Sequence, residues 1–180
     1  AVVCDQSVGG LAGMAKENCV PYGPESRRIY KPVGQIQKYG EKMRFGVFSY
    51  FISNSIDNAV MRSKAKFVAP RKWTASGSTD NPNKELDAET GIFVTNPDPA
   101  DAAASRGGAV ANSGVINYIN KFGKDARNYK RYDNIGKLWY ESMRYLRGLQ
   151  PTPDFYRGAT RANGDGFPVI TTWDDPVQYS

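Results

Sequence analysis

Met43-Arg44-Phe45-Gly46-Val47-Phe48-Ser49-Tyr50-Phe51 is the stretch that decides the fold class. Successive side chains of a strand point to opposite faces, and here both faces are largely apolar or aromatic, the pattern of a strand covered on both sides. The next periodic run, Val60 to Val68, differs. Met61, Ala65 and Phe67 fall on one face, and Arg62, Lys64 and Lys66 on the other. Cations along one face are a common guard against further pairing at a sheet edge. The turn-rich residues Ser53-Asn54-Ser55-Ile56-Asp57-Asn58 join the two runs. Together they read as a hairpin, central strand first and edge strand second, with Arg62, Lys64 and Lys66 facing solvent.

Upstream, Pro32 to Tyr39 reads as a short helix with Val33, Ile36 and Tyr39 on one face and Gly40 at its end. Residues 1–30 are rich in Gly and Pro and read as irregular. Downstream, residues 70–108 form a long polar insertion with Pro70, Pro82, Pro97 and Pro99 around it and one short strand candidate, Ile92 to Thr95. Residues 109–180 carry two helices and a last strand. Ser113 can cap the first helix, with Val115, Ile116, Ile119 and Phe122 inward and Gly123 closing it. Asp133 can cap the second, with Ile135, Leu138, Trp139, Met143 and Leu146 inward. Val169 to Trp173 is the last strand. The organisation is thus four segments, 1–30, 31–69, 70–108 and 109–180, in an α/β layered fold with one antiparallel edge hairpin and a long loop insertion.

Composition narrows the function. Mean hydropathy is −0.56, and no apolar run approaches the roughly 20 residues that span a bilayer. The chain has two cysteines, Cys4 and Cys19, separated by a Gly-rich stretch. They read as a local disulfide contributing about 3 kcal/mol and implying an oxidising compartment; the other reading is two free buried thiols. There is no histidine, which excludes Ser-His-Asp and Cys-His catalysis, HExxH zinc sites and His-ligated iron. Paired-carboxylate hydrolysis stays formally open, but no spacing identifies such a pair, and no enzymatic activity is expected. The net charge of +6 is spread among interspersed acids. The densest basic group is Lys121, Lys124, Arg127, Lys130 and Arg131, read as solvated surface rather than as a nucleic-acid site.

Several blocks, in one order along nearly the whole chain, resemble the extracellular PilY-type proteins associated with type IV pilus tips. They are Val3-Cys4-Asp5 with Glu17-Asn18-Cys19, Tyr30 to Tyr39, Met43 to Tyr50, Ala88-Glu89-Thr90-Gly91, Asn112 to Tyr118, Lys121-Phe122-Gly123, Tyr132 to Gly136, and Asp165 to Pro176. The resemblance implies a von Willebrand factor A-like region, preceded by a signal peptide and followed by a β-propeller. It also implies roles in pilus assembly, adhesion or surface sensing. The location implied is extracellular, at the pilus tip or outer surface, after export through the periplasm. Partners implied are minor pilins or other pilus-tip components, the rest of the parent chain, and a host or surface receptor. The alternative is a free-standing secreted module binding polysaccharide or extracellular DNA.

Von Willebrand A-like domains often hold Mg²⁺ or Ca²⁺ through an Asp-x-Ser-x-Ser loop, a Thr and a later Asp, all hard oxygen ligands. The corresponding candidates are Asp5, Ser7 and Asp133, but Gly9 and Asp133 depart from the pattern. Turn and helix-cap roles suit them better, so no complete metal site and no cofactor are expected in this chain, with Ca²⁺ or Mg²⁺ left to the full-length parent. A second oxygen-rich string, Asp80 to Glu89, lacks EF-hand spacing. The chain begins without Met and stops at Tyr179-Ser180 just after a strand. An incomplete domain is therefore expected, with an unpaired edge or exposed apolar surface near Val169, Ile170 and Trp173.

Overall fold

The computed structural model describes Cys4 and residues 18–53, 57–121 and 134–176. Their strands are β1 (Cys19–Tyr22), β2 (Ile29–Pro32), β3 (Phe45–Ser49), β4 (Val60–Lys66), β5 (Arg71–Thr74) and β6 (Gly77–Asp80). The helices are α1 (Gln35–Tyr39), α2 (Pro99–Ala103), α3 (Val115–Lys121), α4 (Ile135–Leu146) and α5 (Pro153–Tyr156). The class is mixed α/β. The strands pair as three antiparallel ladders, β1–β2, β3–β4 and β5–β6, and the described residues form no larger layered sheet. The chain divides into two units, residues 1–43 with 67–94 and residues 44–66 with 95–180. This division separates the helix expected at 32–39, and found at 35–39, from the hairpin and gives the 70–108 stretch to both units.

In the first unit, the described end of the segment expected to be irregular forms the β1–β2 hairpin from Cys19 onward, with Cys4 joined to Cys19 across a Cα–Cα distance of 6.0 Å. The hairpin rests on a turn at Asp87–Gly91. The Asp87 carboxylate accepts from the Thr90 N–H and hydroxyl at 2.8 Å each and from the Glu89 N–H at 3.1 Å. Such an Asx turn lets a side chain stand in for a backbone turn. Gly91 has φ +62° and lies so close under the Tyr22 ring that a Cβ would meet it at 2.6 Å, so only glycine fits. The Gly23 N–H and the Lys31 ammonium close the contact by donating to the Glu89 and Thr90 carbonyls, at 2.8 and 2.6 Å. Asn81, buried, donates to the Phe67 and Ala69 carbonyls and accepts from the Asn83 N–H. Within the Asp80–Glu89 string, the Asn81 and Asp87 side-chain oxygens therefore hold backbone N–H groups, and Asp80 pairs with Arg71.

In the second unit, the β3–β4 hairpin forms as expected, two residues shorter at each end of the first strand. Its register shifts between Phe45 and Val47 and again between Val47 and Phe48. Gly46 sits at the irregularity, where a Cβ would meet the Ala65 N and Ser63 O at 3.2 and 3.3 Å; glycine lets the strands close there. Phe48 and Ser49 are successive, so they point to opposite faces. Phe48 meets Tyr145 of α4 and Trp173 edge-to-face, at centroid separations of 6.0 and 5.6 Å. Ser49 accepts from the Tyr118 hydroxyl of α3 at 2.6 Å. The ladder thus has α4 on one face and α3 on the other. Met61, Tyr145, Ile170 and Trp173 make one apolar cluster, and Phe51, Val60, Ala159 and Val169 another.

Four expectations for this unit are corrected. β4 is not a bare edge: the Ile170 N–H donates to the Met61 carbonyl at 3.0 Å, and the Ala65 N–H donates to the Tyr145 hydroxyl at 3.1 Å. Val169, Ile170 and Trp173 are buried, so the expected exposed surface is not there; residues 169–173 contribute one bridge, to Met61, and no ladder. The inward face of α3 is Val115, Ile116 and Tyr118, while Ile119 is exposed. Ser113 does not cap α3. Its hydroxyl donates to the Asn96 side chain and accepts from the Asp98 N–H, at 2.6 and 2.8 Å. Phe122 and Gly123 lie outside the described residues.

Candidate functional site

Arg62 is the first of the expected surface cations, and it is 1% exposed. Its place is the β4 face turned to α3, which the 163–168 loop covers. The guanidinium donates to the Ser49 Oγ at 2.9 Å, the Tyr50 carbonyl at 2.6 Å, and the Gly164, Pro168 and Phe167 carbonyls at 2.9, 3.3 and 3.5 Å. It also lies over the Tyr118 ring, 5.5 Å from the centroid. Asp165 (φ 59°) and Gly166 (φ 72°) adopt left-handed conformations within the loop that presents those carbonyls. Lys121 holds that turn through the Asp165 carboxylate at 2.8 Å and the Asp165 carbonyl. Burial pushes the Arg62 pKa down, while the Tyr118 hydroxyl and the Asp165 charge oppose it; a guanidinium keeps its proton under such opposition. The alternation in sequence placed Arg62 on the correct face of the strand, but that face is covered.

The other two cations of β4 are paired. Lys64 Nζ lies 2.8 Å from Asp174 and 3.2 Å from Asp101, and Lys66 Nζ lies 2.5 Å from Asp98. They tie the strand to the start of α2 and to the segment after Trp173. Burial alone would lower the Lys64 pKa, but the hydrogen bond to Asp174 and the charge and hydrogen bond of Asp101 raise it on balance. Burial raises Asp101, with Lys64 opposing. Lys121 is paired as described. Lys124, Arg127, Lys130 and Arg131, and the metal candidates Asp5, Ser7 and Asp133, lie outside the described residues. Among the described residues no group of three or more His, Cys, Asp or Glu side chains is placed to hold a metal ion. No helix among them is long and apolar enough to cross a membrane.

The surface left over is α4. Asn134, not the expected Asp133, is its N-cap, accepting from the Lys137 N–H. Of the expected inward residues Leu138 is half-buried and the others are turned outward: Ile135 is 81% exposed, Trp139 65% and Leu146 57%, with Met143 beside them. Spaced i, i+4, i+8 and i+11, they form one stripe. What α4 buries instead is Glu141 and Tyr145. Glu141 receives the Thr152 N–H at 3.1 Å and the Thr152 hydroxyl at 2.5 Å, fixing the chain between α4 and α5. Tyr145 caps the β4 edge and packs on Phe48 and Trp173. Both buried groups carry polar tips that satisfy backbone donors. The periodicity found the stripe, but which surface it meets depends on where orphan N–H groups lie, and no local pattern reports that.

The class so defined is a small mixed α/β chain with a disulfide-tied first unit and a second unit whose β4 cations and Lys121 are paired internally and whose α4 carries an exposed apolar stripe of the kind that meets partners. Over 191 residues, 99% of this chain, it is 38% identical to a protein of Xylella fastidiosa (strain Temecula1) named "Type IV pilus biogenesis factor PilY1 homolog". The chain spans 15% of that protein's length. No family model matches the chain, and no solved structure matches it.

Proposed function

We propose that this chain is a region of a PilY1-like type IV pilus protein, exported to the cell surface, and that it works there as a non-enzymatic interaction element without a cofactor of its own. The observation that carries the reading is the 38% identity over nearly the whole chain to a protein named for type IV pilus biogenesis. The extended series of PilY-type blocks and the Cys4–Cys19 bridge, which suits an oxidising compartment, support it. The von Willebrand factor A-like relation belongs to the same reading: an antiparallel ladder with α3 on one face and α4 on the other is a piece such a layered sheet would contain. The interaction surface in this reading is the α4 stripe, and the partners are other pilus components, in assembly, adhesion or surface sensing. A polyanion-binding module is disfavoured by Arg62, Lys64, Lys66 and Lys121, each of which already has internal partners.

The test is made in the bacterium, on the full-length protein. Trp139→Ser combined with Leu146→Ser should reduce surface piliation and twitching at unchanged protein level in the outer fraction. If the double variant and a deletion of the whole region both left piliation and twitching at wild-type values, the reading would be wrong.

A further inference from the structure

Asn163-Gly164 is the one Asn-Gly pair in the sequence, and it stands where the 163–168 loop begins. Glycine has no Cβ to shield its own amide nitrogen, so the side chain of an asparagine just before it is open to attack by that nitrogen. A bond forms from the Gly164 nitrogen to the Asn163 Cγ, the Cγ–Nδ2 bond breaks and ammonia leaves. Water then opens the succinimide to aspartate or isoaspartate. Solvent water is the only other reactant.

In the fold each polar group of that reaction is held in another contact. The Gly164 N–H donates to the Thr160 carbonyl at 2.9 Å. The Asn163 Oδ1 accepts from the Thr160 N–H at 2.7 Å, and its Nδ2 donates to the Gly158 carbonyl at 3.0 Å. The Asn163 main chain is fixed as well: its N–H donates to the Thr160 hydroxyl at 3.3 Å, and its carbonyl accepts from the Ile52 N–H at 2.9 Å. The next residue, Gly164, is buried and presents its carbonyl to the Arg62 guanidinium at 2.9 Å. The reactive pair and the cover of the buried cation are therefore one piece of chain.

We infer that Asn163 is a deamidation site kept shut by its own turn, and that reaction there uncouples the 163–168 loop from Arg62. Aspartate at this position sets a carboxylate oxygen against the Gly158 carbonyl, where an N–H donor now stands. Isoaspartate also inserts a methylene into the main chain immediately before Gly164, whose carbonyl Arg62 holds. Neither product can reclose the turn with its present contacts, so an opening of the loop that lasts long enough for the reaction becomes permanent. None of this depends on a role in pili.

The full-length protein that carries this chain is incubated at mildly alkaline pH, natively and in urea. Peptides released by trypsin after Arg161 are then scored by mass spectrometry for aspartate and isoaspartate at position 163. Conversion should be on the order of 100-fold slower in the native protein than in urea, the ratio set by local opening. Arg62→Met and Thr160→Val, the second a near-isosteric change at an exposed residue, should each quicken native conversion at Asn163. Asn112, which precedes Ser113 in the same unit, should stay slow in both variants. Equal rates in native protein and urea would overturn the inference, because the turn would then protect nothing. So would native rates that neither variant moves, or rates quickened equally at Asn112 and Asn163, which would report unfolding of the whole unit rather than opening of the loop.

Discussion

Arg62 shows how a charge is tolerated inside a unit of this size. Its guanidinium has five N–H donors in a planar fork, and the loop at 163–168 together with Ser49 and Tyr50 supplies the acceptors. Deleting it leaves several buried carbonyls without donors, each costing about 1–3 kcal/mol. Arg62→Met should therefore lower the stability of the second unit by about 3 kcal/mol or more, read by urea unfolding; a change within about 0.5 kcal/mol would mean that the loop closes without it. Lys64 offers a titration test. Its folded pKa is raised above the ordinary 10.5, so its contribution is complete below pH 10.5 and is lost as pH rises through the folded value. The fall in melting temperature above pH 10.5 should be smaller in Lys64→Met than in the wild type. At this scale the sequence disclosed the face that Arg62 occupies, because alternation is local, while the register shifts of the ladder break the alternation for the cations after it. It did not disclose the covers, since Asp174 and the carbonyls around Arg62 come from about a hundred residues further on.

The elements teach a different lesson. The extent of α4 was legible from the run of apolar periodicity, and its exposed stripe was legible as a stripe. Its orientation was not, because Glu141 and Tyr145 are polar-tipped residues that a binary pattern assigns to solvent, whereas here they answer the N–H groups of Thr152 and Ala65. The consequence is measurable. Trp139→Ser should change stability by no more than about 0.5 kcal/mol, whereas Tyr145→Ala should cost about 3–5 kcal/mol through a cavity beside Phe48 and Trp173. The reverse order in chemical denaturation would return the stripe to the core. β3 and β4 were legible as a hairpin for the same local reason that α4 was, and the role of β4 was misread because Ile170 and Tyr145 reach it from far along the chain.

At the scale of the molecule, the two units are tied differently. The first has few buried apolar side chains of its own, among them Cys19, Val68 and Leu86, and is stapled by Cys4–Cys19 near one end. The bridge should be found as a linked peptide pair by mass spectrometry without reduction, and reducing it should cost the first unit about 3 kcal/mol. The second unit, with both apolar clusters, should melt unchanged in reductant. Two alkylatable thiols in the native chain would remove the staple from this account.

The order of the second unit along the chain has a consequence for how it is made. Its hairpin, 45–66, is followed by residues 67–94 of the other unit before any of its covers, α3, α4 or the 163–173 segment, has been synthesised. A ribosome or a secretion channel delivers the chain from its N-terminus, at about 5–20 residues per second. For several seconds, then, a two-stranded ladder with Phe45, Val47, Phe48 and Met61 uncovered is present with nothing of its own unit to bury it, and such a hairpin alone is marginal in water. The sequence order thus leaves the hairpin dependent on whatever can hold it during synthesis, with the interval of risk set by the return of the chain to this unit at residue 95 rather than by the stability of the finished fold.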